Sequence, residues 1–424
     1  MCVLLLGVDK TKITPQHRIY LAGYADREDV FEEVIHDLYV RTFYFRQGNI
    51  DKLIVQGDLI WWGTDFIDNI RKVVKKKFGI DKSDVIFSAT HTHSGPQTSY
   101  LFTDSLGIAD AKYLSFLEQQ VIKSIKNAKC NLEEVNIQIG RGKSYLGINR
   151  RRKVNRKIEM LPNRFGIIDD DVNILVFNAL KKEKVKGMLV NYACHANVTG
   201  DNNVSSDYPG VAMEVLEKDF IQDGVAIFLQ GFAGNIRPAL MVGEKFFRGS
   251  EREVVQIAEM FVEDIKRILN GNLKNIEPSL YSNVLNINLQ FSEVVSIEQL
   301  QKLKNNSGIE GEWSRYLIAH QDNLKQENVL EIFRLDLSKD CCIIALNGEV
   351  VVDYGLFLKE QFGDKIFAVG YTNGMIGYIP TAQQIEEGGY ESQDSIYYFA
   401  LPSRYSKVIE KQIKDGLVAI MSER

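Results

Sequence analysis

Short apolar runs alternate along the chain with polar segments rich in glycine, asparagine and proline, a pattern typical of buried strands joined by loops. Other stretches repeat apolar positions with a helical period. Strands are predicted at Val3–Leu6, His36–Phe45, Leu53–Asp58, Val85–Ala89, Ile137–Tyr145, Asp169–Leu180, Lys186–His195, Val225–Leu229, Leu285–Phe291, Cys342–Leu346 and Phe367–Gly370. Helices are predicted at Thr64–Phe78, Ala109–Ala128, Val211–Phe220, Ser250–Asn270, Val350–Glu360 and Ser403–Ser422.

This succession of strands and helices predicts an α/β fold, with a mixed β-sheet core flanked by helices. We find no internal repeat and no clear interdomain linker, so we expect one domain over residues 1–424. The cationic run from Arg71 to Lys77 lies on a predicted helix, and we interpret it as a solvated face. Two further segments, Ser296–Lys304 and Glu310–Asn328, are helical or irregular.

Several predicted strands end in turn-forming residues accompanied by a reactive side chain. The strand Val85–Ala89 leads into Thr-His-Thr-His, and Ser-Gly-Pro then breaks it. In an extended segment His91 and His93 project to the same side, which is a plausible start to a metal or acid/base site. A structural His-x-His pair at a strand end is the alternative.

Composition limits the classes of function. The formal net charge of −5 argues against a nucleic-acid-binding protein, which usually concentrates lysine and arginine. No apolar run is long enough to span a membrane, and the N-terminus does not resemble a signal peptide. The five cysteines (Cys2, Cys130, Cys194, Cys341 and Cys342) show no C-x-x-C spacing, which favours free thiols in a reducing cytoplasm.

The other strand ends carry further candidate groups: His195, the Gly234-Asn235 loop, Glu349 and Tyr378. Open α/β sheets place ligand sites outside the carboxyl ends of their strands, so we expect the site there. Two histidines and a carboxylate with an open position are the ligand types of a catalytic zinc site. Zinc would activate water and polarise a carbonyl.

Together these motifs resemble the N-terminal catalytic domain of the neutral/alkaline (non-lysosomal) ceramidases, a family of zinc amidases. The most specific is THTHSGP at residues 90–96. LAGYAD at 21–26, INR at 148–150, NYACH at 191–195 and SSD at 205–207 follow the same order. So do GN-x-x-P at 234–238, NGE at 347–349 and YIPT at 378–381, before a Gly-Gly-Tyr-Glu segment that ends at residue 391.

The resemblance implies a set of zinc ligands. The first histidine of THTH corresponds to His91, and the histidine that closes the NYACH segment corresponds to His195. Glu349 and Tyr378 complete the implied set, with the tyrosine as a phenolate favoured by the cation. The cofactor implied is therefore Zn²⁺.

The resemblance also implies the groups that act on the substrate. A second family tyrosine, twelve residues after the first, touches the substrate carbonyl and falls on Tyr390. His93 would orient water or substrate. Arg150 would bind a substrate oxygen, although the cluster from Gly147 to Lys153 could also be a solvated loop.

Several of these residues also have an alternative, purely structural interpretation. His195 could be a hydrogen-bonded histidine at a strand end. Glu349 could cap the helix that follows it, where the helix dipole favours a carboxylate. Tyr378 and Tyr390 could be aromatic residues of surface loops.

The chain departs from the family pattern in the GN-x-x-P loop, where ceramidases carry a serine that has been proposed to take part in catalysis. Arg237 stands there. An arginine is no nucleophile, but it can clamp a carboxylate or phosphate. Arg237 and Asn235 are therefore predicted to bind the substrate. With no signal peptide or C-terminal β-sandwich domain in this sequence, we expect a cytoplasmic enzyme for a smaller or anionic substrate rather than for long-chain ceramide.

The function predicted is a zinc-dependent hydrolase that cleaves a carboxamide bond in a linear small-molecule substrate. The same zinc site acting on an ester or lactone is the nearest alternative. A metal- or ligand-binding homologue without turnover is another, and the loss of the family serine favours it.

Overall fold

The computed structural model describes residues 3–181 and 184–423. Its strands are β1 (Leu4–Lys12), β2 (Tyr39–Gln47), β3 (Ile50–Gly57), β4 (Val85–Ala89), β5 (Glu133–Lys143), β6 (Gly147–Val154), β7 (Lys157–Asn163), β8 (Asp171–Ala179), β9 (Lys184–Tyr192), β10 (Val225–Gln230), β11 (Ile236–Pro238), β12 (Met241–Val242), β13 (Lys245–Phe246), β14 (Lys274–Ile276), β15 (Pro278–Gln290), β16 (Glu327–Ser338), β17 (Cys341–Leu346), β18 (Glu349–Val350), β19 (Ile366–Val369) and β20 (Tyr378–Ile379).

The α-helices are α1 (Thr64–Phe78), α2 (Ala111–Cys130), α3 (Asp207–Leu216), α4 (Glu251–Leu269), α5 (Ile297–Leu303), α6 (Ile309–Ala319), α7 (Val352–Phe362), α8 (Ala382–Glu387), α9 (Ser395–Tyr398) and α10 (Ile409–Ser422). Short 3₁₀ turns lie at Lys82–Asp84, Asp104–Leu106 and Gln321–Asn323, and π-helical turns at Glu217–Ile221 and Tyr390–Asp394. None of the described helices is long and apolar enough to cross a membrane.

Two mixed sheets form the centre of the molecule. The larger runs in the order β10-β9-β8-β5-β1-β2-β3-β4, with β14 also paired to β5. The smaller runs in the order β15-β16-β17-β19. Within these two sheets three neighbouring pairs are parallel, namely β9 with β10, β3 with β4, and β17 with β19. The predicted mixed α/β fold is therefore confirmed.

The inner faces of the two sheets share one buried cluster. Phe43 and Phe177 of the larger sheet belong to it, together with Ile343 and Phe367 of the smaller one. Phe43 and Phe177 meet edge to face, with ring centroids 5.8 Å apart. Because residues alternate along a strand, the other half of each strand faces outward and must be covered by helices.

Helices cover the outer faces and complete the layers. Helices α1 and α2 pack on the β2–β4 half of the larger sheet, and α10 packs on the smaller sheet. Helices α3 and α4 cover strands β8–β10, where Phe261 of α4 contacts Tyr192 and Phe228. Each fully buried side chain of this size contributes roughly 1.5–3 kcal/mol. The resulting succession is helix, sheet, sheet, helix.

Most predicted elements lie where the sequence pattern placed them, but three expectations change. The segment from Gly147, expected as a loop or a substrate-facing cluster, is a strand in which Arg150 and Arg151 are buried. The chain near Asn328 is the start of the long strand β16. His195 lies in a loop three residues after β9 has ended, rather than on the strand.

The cysteines agree with the expected free thiols wherever they are described. Cys130, Cys194, Cys341 and Cys342 are all unpaired, and the last three are buried. Cys2 lies outside the described residues.

Candidate metal centre

The centre of the site is a group of three histidine side chains. His91 and His93 follow β4, and His195 follows β9. Their candidate ligand nitrogens all lie within 4.8 Å of one another, and the Nε2 atoms of His91 and His93 are 3.2 Å apart. The carboxyl ends of strands that are far apart in sequence therefore meet at one point, as the sequence predicted.

His91 and His93 meet through a turn and not through the pleat of a strand. Strand β4 ends at Ala89, and His91 has a left-handed backbone with φ of 65°. A non-glycine residue in that region is uncommon and is often found at functional sites. The expectation of two same-side histidines on an extended strand is therefore wrong in its geometry, although the two rings do meet.

Backbone carbonyls determine the tautomers of the three rings. His91 Nδ1 lies 2.8 Å from Ile60 O, and His195 Nδ1 lies 2.7 Å from Ala233 O. The Nδ1 atom of His93 makes the same kind of contact at 3.1 Å. Because a carbonyl oxygen only accepts, each Nδ1 holds the proton, and each Nε2 presents a lone pair to the centre.

The local electrostatics disfavour the charged forms of His93 and His195. Burial, with repulsion from Arg150 as the next cause, lowers the pKa of His195 to about 4. Burial and the neighbouring rings of His91 and His195 likewise hold the pKa of His93 well below its usual value. Neutral imidazoles are the form that binds metal ions.

Glu349 supplies a buried carboxylate to the same centre. Its Oε2 atom lies 3.3 Å from His91 Nε2 and 3.4 Å from His195 Nε2, and it has no hydrogen-bond partner among the described atoms. Burial by itself would raise the pKa of Glu349, but its interactions with His91 and His195 hold that pKa well below the usual range.

The donor set therefore fits a metal ion. Three imidazole lone pairs and one carboxylate oxygen converge in a buried site, and without a cation they would repel one another. Imidazole nitrogen and carboxylate oxygen are zinc ligands, and the carbonyls that hold each Nδ1–H are the outer contacts such ligands usually have.

Tyr378 lies beside Glu349 because β18 and β20 are parallel and pair these two residues directly. Its hydroxyl oxygen accepts a hydrogen bond from Arg150 Nη2 at 3.0 Å. Burial raises the pKa of Tyr378 well above its usual value, and the charge of Arg150 partly opposes this rise. Tyr378 is buried, so it is not a surface-loop aromatic residue.

Arg150 connects several parts of the site. Its Nε atom donates to Glu391 Oε1 at 2.7 Å, and its Nη1 atom lies 3.4 Å from His195 Nε2. Burial disfavours the charged guanidinium, but Tyr378 and Glu391 raise the pKa of Arg150 well above its ordinary value. The Nη groups keep further N–H donors for a substrate oxygen.

Tyr390 lies at the edge of this group and begins the π-helical turn Tyr390–Asp394. Its ring lies 5.5 Å from the ring of Tyr378, and the guanidinium of Arg150 lies 5.6 Å from it. The side chain is half-buried, and burial raises the pKa of its hydroxyl. A neutral phenol beside an arginine can donate a hydrogen bond to a developing oxyanion.

The two residues predicted to bind the substrate have different surroundings. Asn235 Oδ1 accepts from the backbone N–H of Val352 at 2.9 Å, so this side chain holds the start of α7. Arg237 packs over the ring of Phe246, with 4.5 Å between its guanidinium carbon and the ring centroid. Arg237 Nε is buried and has no hydrogen-bond partner in the described residues, and burial lowers its pKa to about 10.

Two glycines allow close approaches at the centre. A Cβ atom on Gly23 would lie 2.6 Å from His93 Nδ1, and a Cβ on Gly234 would lie 2.8 Å from the carbonyl oxygen of Glu349. Gly23 also has a φ of 105°, in the region that favours glycine. The glycines of the LAGYAD and GN-x-x-P segments thus leave space for neighbouring atoms of the site, in addition to the side chains that these segments supply.

The sequence did not reveal two further residues of the site. Tyr371 stacks on His91, with ring centroids 4.0 Å apart, and it follows β19 in the same way that His91 follows β4. Glu391 accepts hydrogen bonds from Arg150 and Arg151 and is buried. Its position directly after Tyr390 is the only signal that the sequence offered for it.

Comparison with known proteins identifies the family. Residues 4–250 match the family described as neutral/alkaline non-lysosomal ceramidase, N-terminal. The chain belongs to the neutral/alkaline ceramidase family. The matched segment of this ceramidase-family protein contains His91, His93, Arg150 and His195.

Solved structures agree on the fold of this ceramidase-family chain. The neutral ceramidase from Pseudomonas aeruginosa superposes with a TM-score of 0.78 at 18% identity, covering 99% of this chain and 74% of that one. A ceramidase complexed with C2 gives a TM-score of 0.78 at 17% identity, covering 99% of this chain and 75% of that one. The likeness thus extends over the region of Glu349, Tyr378 and Tyr390, beyond the matched segment.

Proposed function

We propose that the chain is a zinc-dependent hydrolase that cleaves a carboxamide bond. One observation carries the proposal: the Nε2 atoms of three histidines and the carboxylate of Glu349 face one another in a buried site, with every Nδ1 atom held by a backbone carbonyl. Membership of the ceramidase family supports an amide as the bond that is cleaved.

In this proposal His91, His195, Glu349 and Tyr378 hold the zinc ion. Arg150 donates to the Tyr378 oxygen at 3.0 Å and thereby favours the phenolate that a metal ligand requires. His93 is the third ring of the group, and the lone pair of its Nε2 atom remains free to accept a proton. When bound, zinc would lower the pKa of a water molecule and polarise the substrate carbonyl.

The protein groups then handle protons and charge. His93 takes the proton from the attacking water and passes it to the leaving amine. Tyr390 and Arg150 donate hydrogen bonds to the carbonyl oxygen as negative charge develops on it. Their positions near Tyr378, 5.5 Å between rings for Tyr390, support this assignment.

The substrate proposed is smaller than ceramide, linear and anionic. Arg237 supports this because it is a partly buried cation whose Nε atom has no hydrogen-bond partner in the described part of the chain. A carboxylate or phosphate group on the substrate would pair with its planar guanidinium. Asn235 would shape the same loop, since its side chain fixes the start of α7.

We extend the proposal to the whole chain as one catalytic domain over residues 1–424 in the cytoplasm. The two sheets share a single inner cluster, which supports one domain. The free cysteines, of which Cys194, Cys341 and Cys342 are buried, support a reducing compartment.

The test combines metal analysis with a substrate panel. Purified protein should contain one zinc per chain and release an amine from short anionic N-acyl compounds, with loss of activity on chelation. Absence of stoichiometric zinc, together with unchanged activity of His195→Ala, would refute the mechanism.

The panel also separates two alternatives. An ester or lactone hydrolase would cleave those compounds and leave the amides intact, because attack by zinc-activated water does not require an amide. A homologue without turnover would bind a panel compound tightly and give no product in mass spectrometry.

A further inference from the structure

A cavity lies along helix α1, and its lining does not include the histidine centre. It has a volume of about 790 Å³. Six cations line it, and we call it the basic cleft: Arg71, Lys72, Lys75, Lys76, Lys82 and Lys325. The cationic face that was predicted to be solvated is exposed at Lys72, Lys75 and Lys76, and it forms one wall of this concave site.

Two of the six cations are neutralised within the protein. Arg71 donates to both oxygens of Glu331, at 2.9 and 2.7 Å. Lys75 pairs with Asp81 at 2.5 Å. Arg71 and Lys75 are thus the cations of the cleft whose charge a nearby carboxylate neutralises.

The other four cations have no carboxylate partner within 4 Å in the described residues: Lys72, Lys76, Lys82 and Lys325. Asp68 is the one further carboxylate in the lining. The cleft thus concentrates positive charge in a protein whose formal net charge is −5. Lysines placed this close repel one another, and an anion among them would relieve that repulsion.

Lys325 comes from outside α1 and faces the same space. Its Nζ atom donates to Asn328 Oδ1 at 3.2 Å, and burial lowers its pKa. A lysine that has lost part of its hydration without gaining a carboxylate would be stabilised by a bound anion.

Hydrogen bonds at the base of the basic cleft hold Glu331 in place, so its carboxylate does not compete with a ligand for the lysines. Asn373 Nδ2 donates to Glu331 Oε1 at 2.8 Å, and the backbone N–H of Glu331 donates to Asn347 Oδ1 at 2.8 Å. Glu331 is therefore held against Arg71 and does not reach the free lysines. The cleft is a rigid polar floor with unpaired cations on its walls.

We propose that the basic cleft binds a small organic anion that carries a phosphate monoester or a group of similar charge. The volume lies within the range of small-molecule sites. The free lysines would contact the phosphate oxygens, and Val329 and Ile376, which also line the cleft, offer apolar contacts to the body of the ligand. This proposal does not depend on the hydrolase function.

The probe is adenosine 5′-monophosphate, measured by isothermal titration calorimetry at constant ionic strength with adenosine as the neutral analogue. Intact protein should bind one equivalent of the phosphate compound and no adenosine. The double variant Lys72→Glu/Lys325→Glu should weaken binding at least about tenfold, because repulsion replaces attraction at both walls.

A matched control has the same change of net charge elsewhere. Lys123 and Lys126 are exposed on α2 and do not line the cleft, so Lys123→Glu/Lys126→Glu should bind as the intact protein does. Equal weakening in both double variants, no saturable binding, or binding that survives in the cleft variant and disappears in His195→Ala would each overturn the proposal. The last outcome would place the anion at the metal centre instead.

Discussion

The Nε2 atoms of His91 and His93 lie 3.2 Å apart, and both rings carry their proton on the opposite nitrogen. No hydrogen therefore lies between the two Nε2 atoms, and their lone pairs repel. Glu349 Oε2, 3.3 Å from His91 Nε2, adds a negative charge to the same space. A bound cation would reverse the sign of all these interactions, so the protein should be measurably less stable without one.

Zinc should therefore raise the stability of metal-free protein. At a free zinc concentration of 1,000 times the dissociation constant, the gain is about 4 kcal/mol in the free energy of unfolding. Differential scanning calorimetry before and after zinc addition measures it. His195→Ala should abolish most of the gain, whereas exposed His320, whose Nδ1 contacts Tyr316 O, can be changed to alanine without effect. A full zinc response in His195→Ala would contradict this prediction.

Glu391→Gln should destabilise the protein by about 3–5 kcal/mol, because it removes the charge that neutralises two buried guanidinium groups. Glu391 lies 2.7 Å from Arg150 Nε and 2.6 Å from Arg151 Nη1. Urea unfolding provides the measurement.

Glu387→Gln is the matched control for Glu391→Gln. Glu387 contacts the same Arg151 at 3.3 Å, but its side chain is 27% exposed. It should cost less than about 1 kcal/mol. Equal losses in the two variants would show that Glu391 does not act as the buried counter-charge.

Tyr378→Phe and Tyr390→Phe should have different effects, although the rings are 5.5 Å apart. Loss of the Tyr378 oxygen should weaken zinc binding by roughly 10–100-fold, the range expected for groups that tune a metal site. Tyr390→Phe should keep its zinc and lower kcat on whichever panel substrate is turned over. Competition with a chromogenic chelator measures the first effect. Unchanged zinc affinity in Tyr378→Phe would remove this residue from the ligand set.

Local sequence patterns were sufficient to predict those helices and strands whose burial follows directly from their apolar residues. Helix α1 was predicted at Thr64–Phe78 and is found there, because its apolar positions repeat with the helical period and Gly79, with φ of 77°, ends it. The strand that carries His91 was predicted for a similar reason, since Val85, Ile86 and Phe87 are all buried.

Partners from distant parts of the chain explain what was missed. Strand β16 contains Glu331, a charge that argues against a buried strand until Arg71, 260 residues away, neutralises it. The segment from Gly147 was ambiguous for the same reason, because the carboxylate that neutralises Arg150 lies 241 residues away. Sequence periodicity reports which residues prefer to be buried, but it does not report which charges will meet.

Arg237→Met should reduce kcat/KM for an anionic amide by roughly 10–100-fold, the equivalent of one charged hydrogen bond. The activity on a neutral amide of the same length should change little. Arg237 packs over Phe246 at 4.5 Å, and methionine preserves much of that apolar contact. Steady-state kinetics on the paired substrates decides the matter. An equal loss on both would mean that Arg237 supports the loop and does not select the charge.

The buried carboxyl of Asp207 gives the free energy of unfolding a pH dependence that can be measured. Burial raises the pKa of this carboxyl from 3.8 to about 6, although the backbone N–H groups of Tyr208 and Val198 donate to it at 2.7 and 3.0 Å. Because the folded pKa is the higher one, the unfolded chain releases this proton first. The group therefore costs little below its unfolded pKa of 3.8, destabilises the fold increasingly as the pH rises from there to about 6, and costs a constant amount above that.

The difference in unfolding free energy between the protein and Asp207→Asn should change by roughly 2–2.5 kcal/mol between pH 4 and pH 7, to the relative advantage of asparagine at the higher pH. Asparagine tolerates the left-handed backbone found here, with φ of 51°. It loses one of the two acceptor oxygens, but that cost does not vary with pH. Urea unfolding at several pH values tests the prediction. A difference that stays constant with pH would mean that Asp207 is not the titrating group.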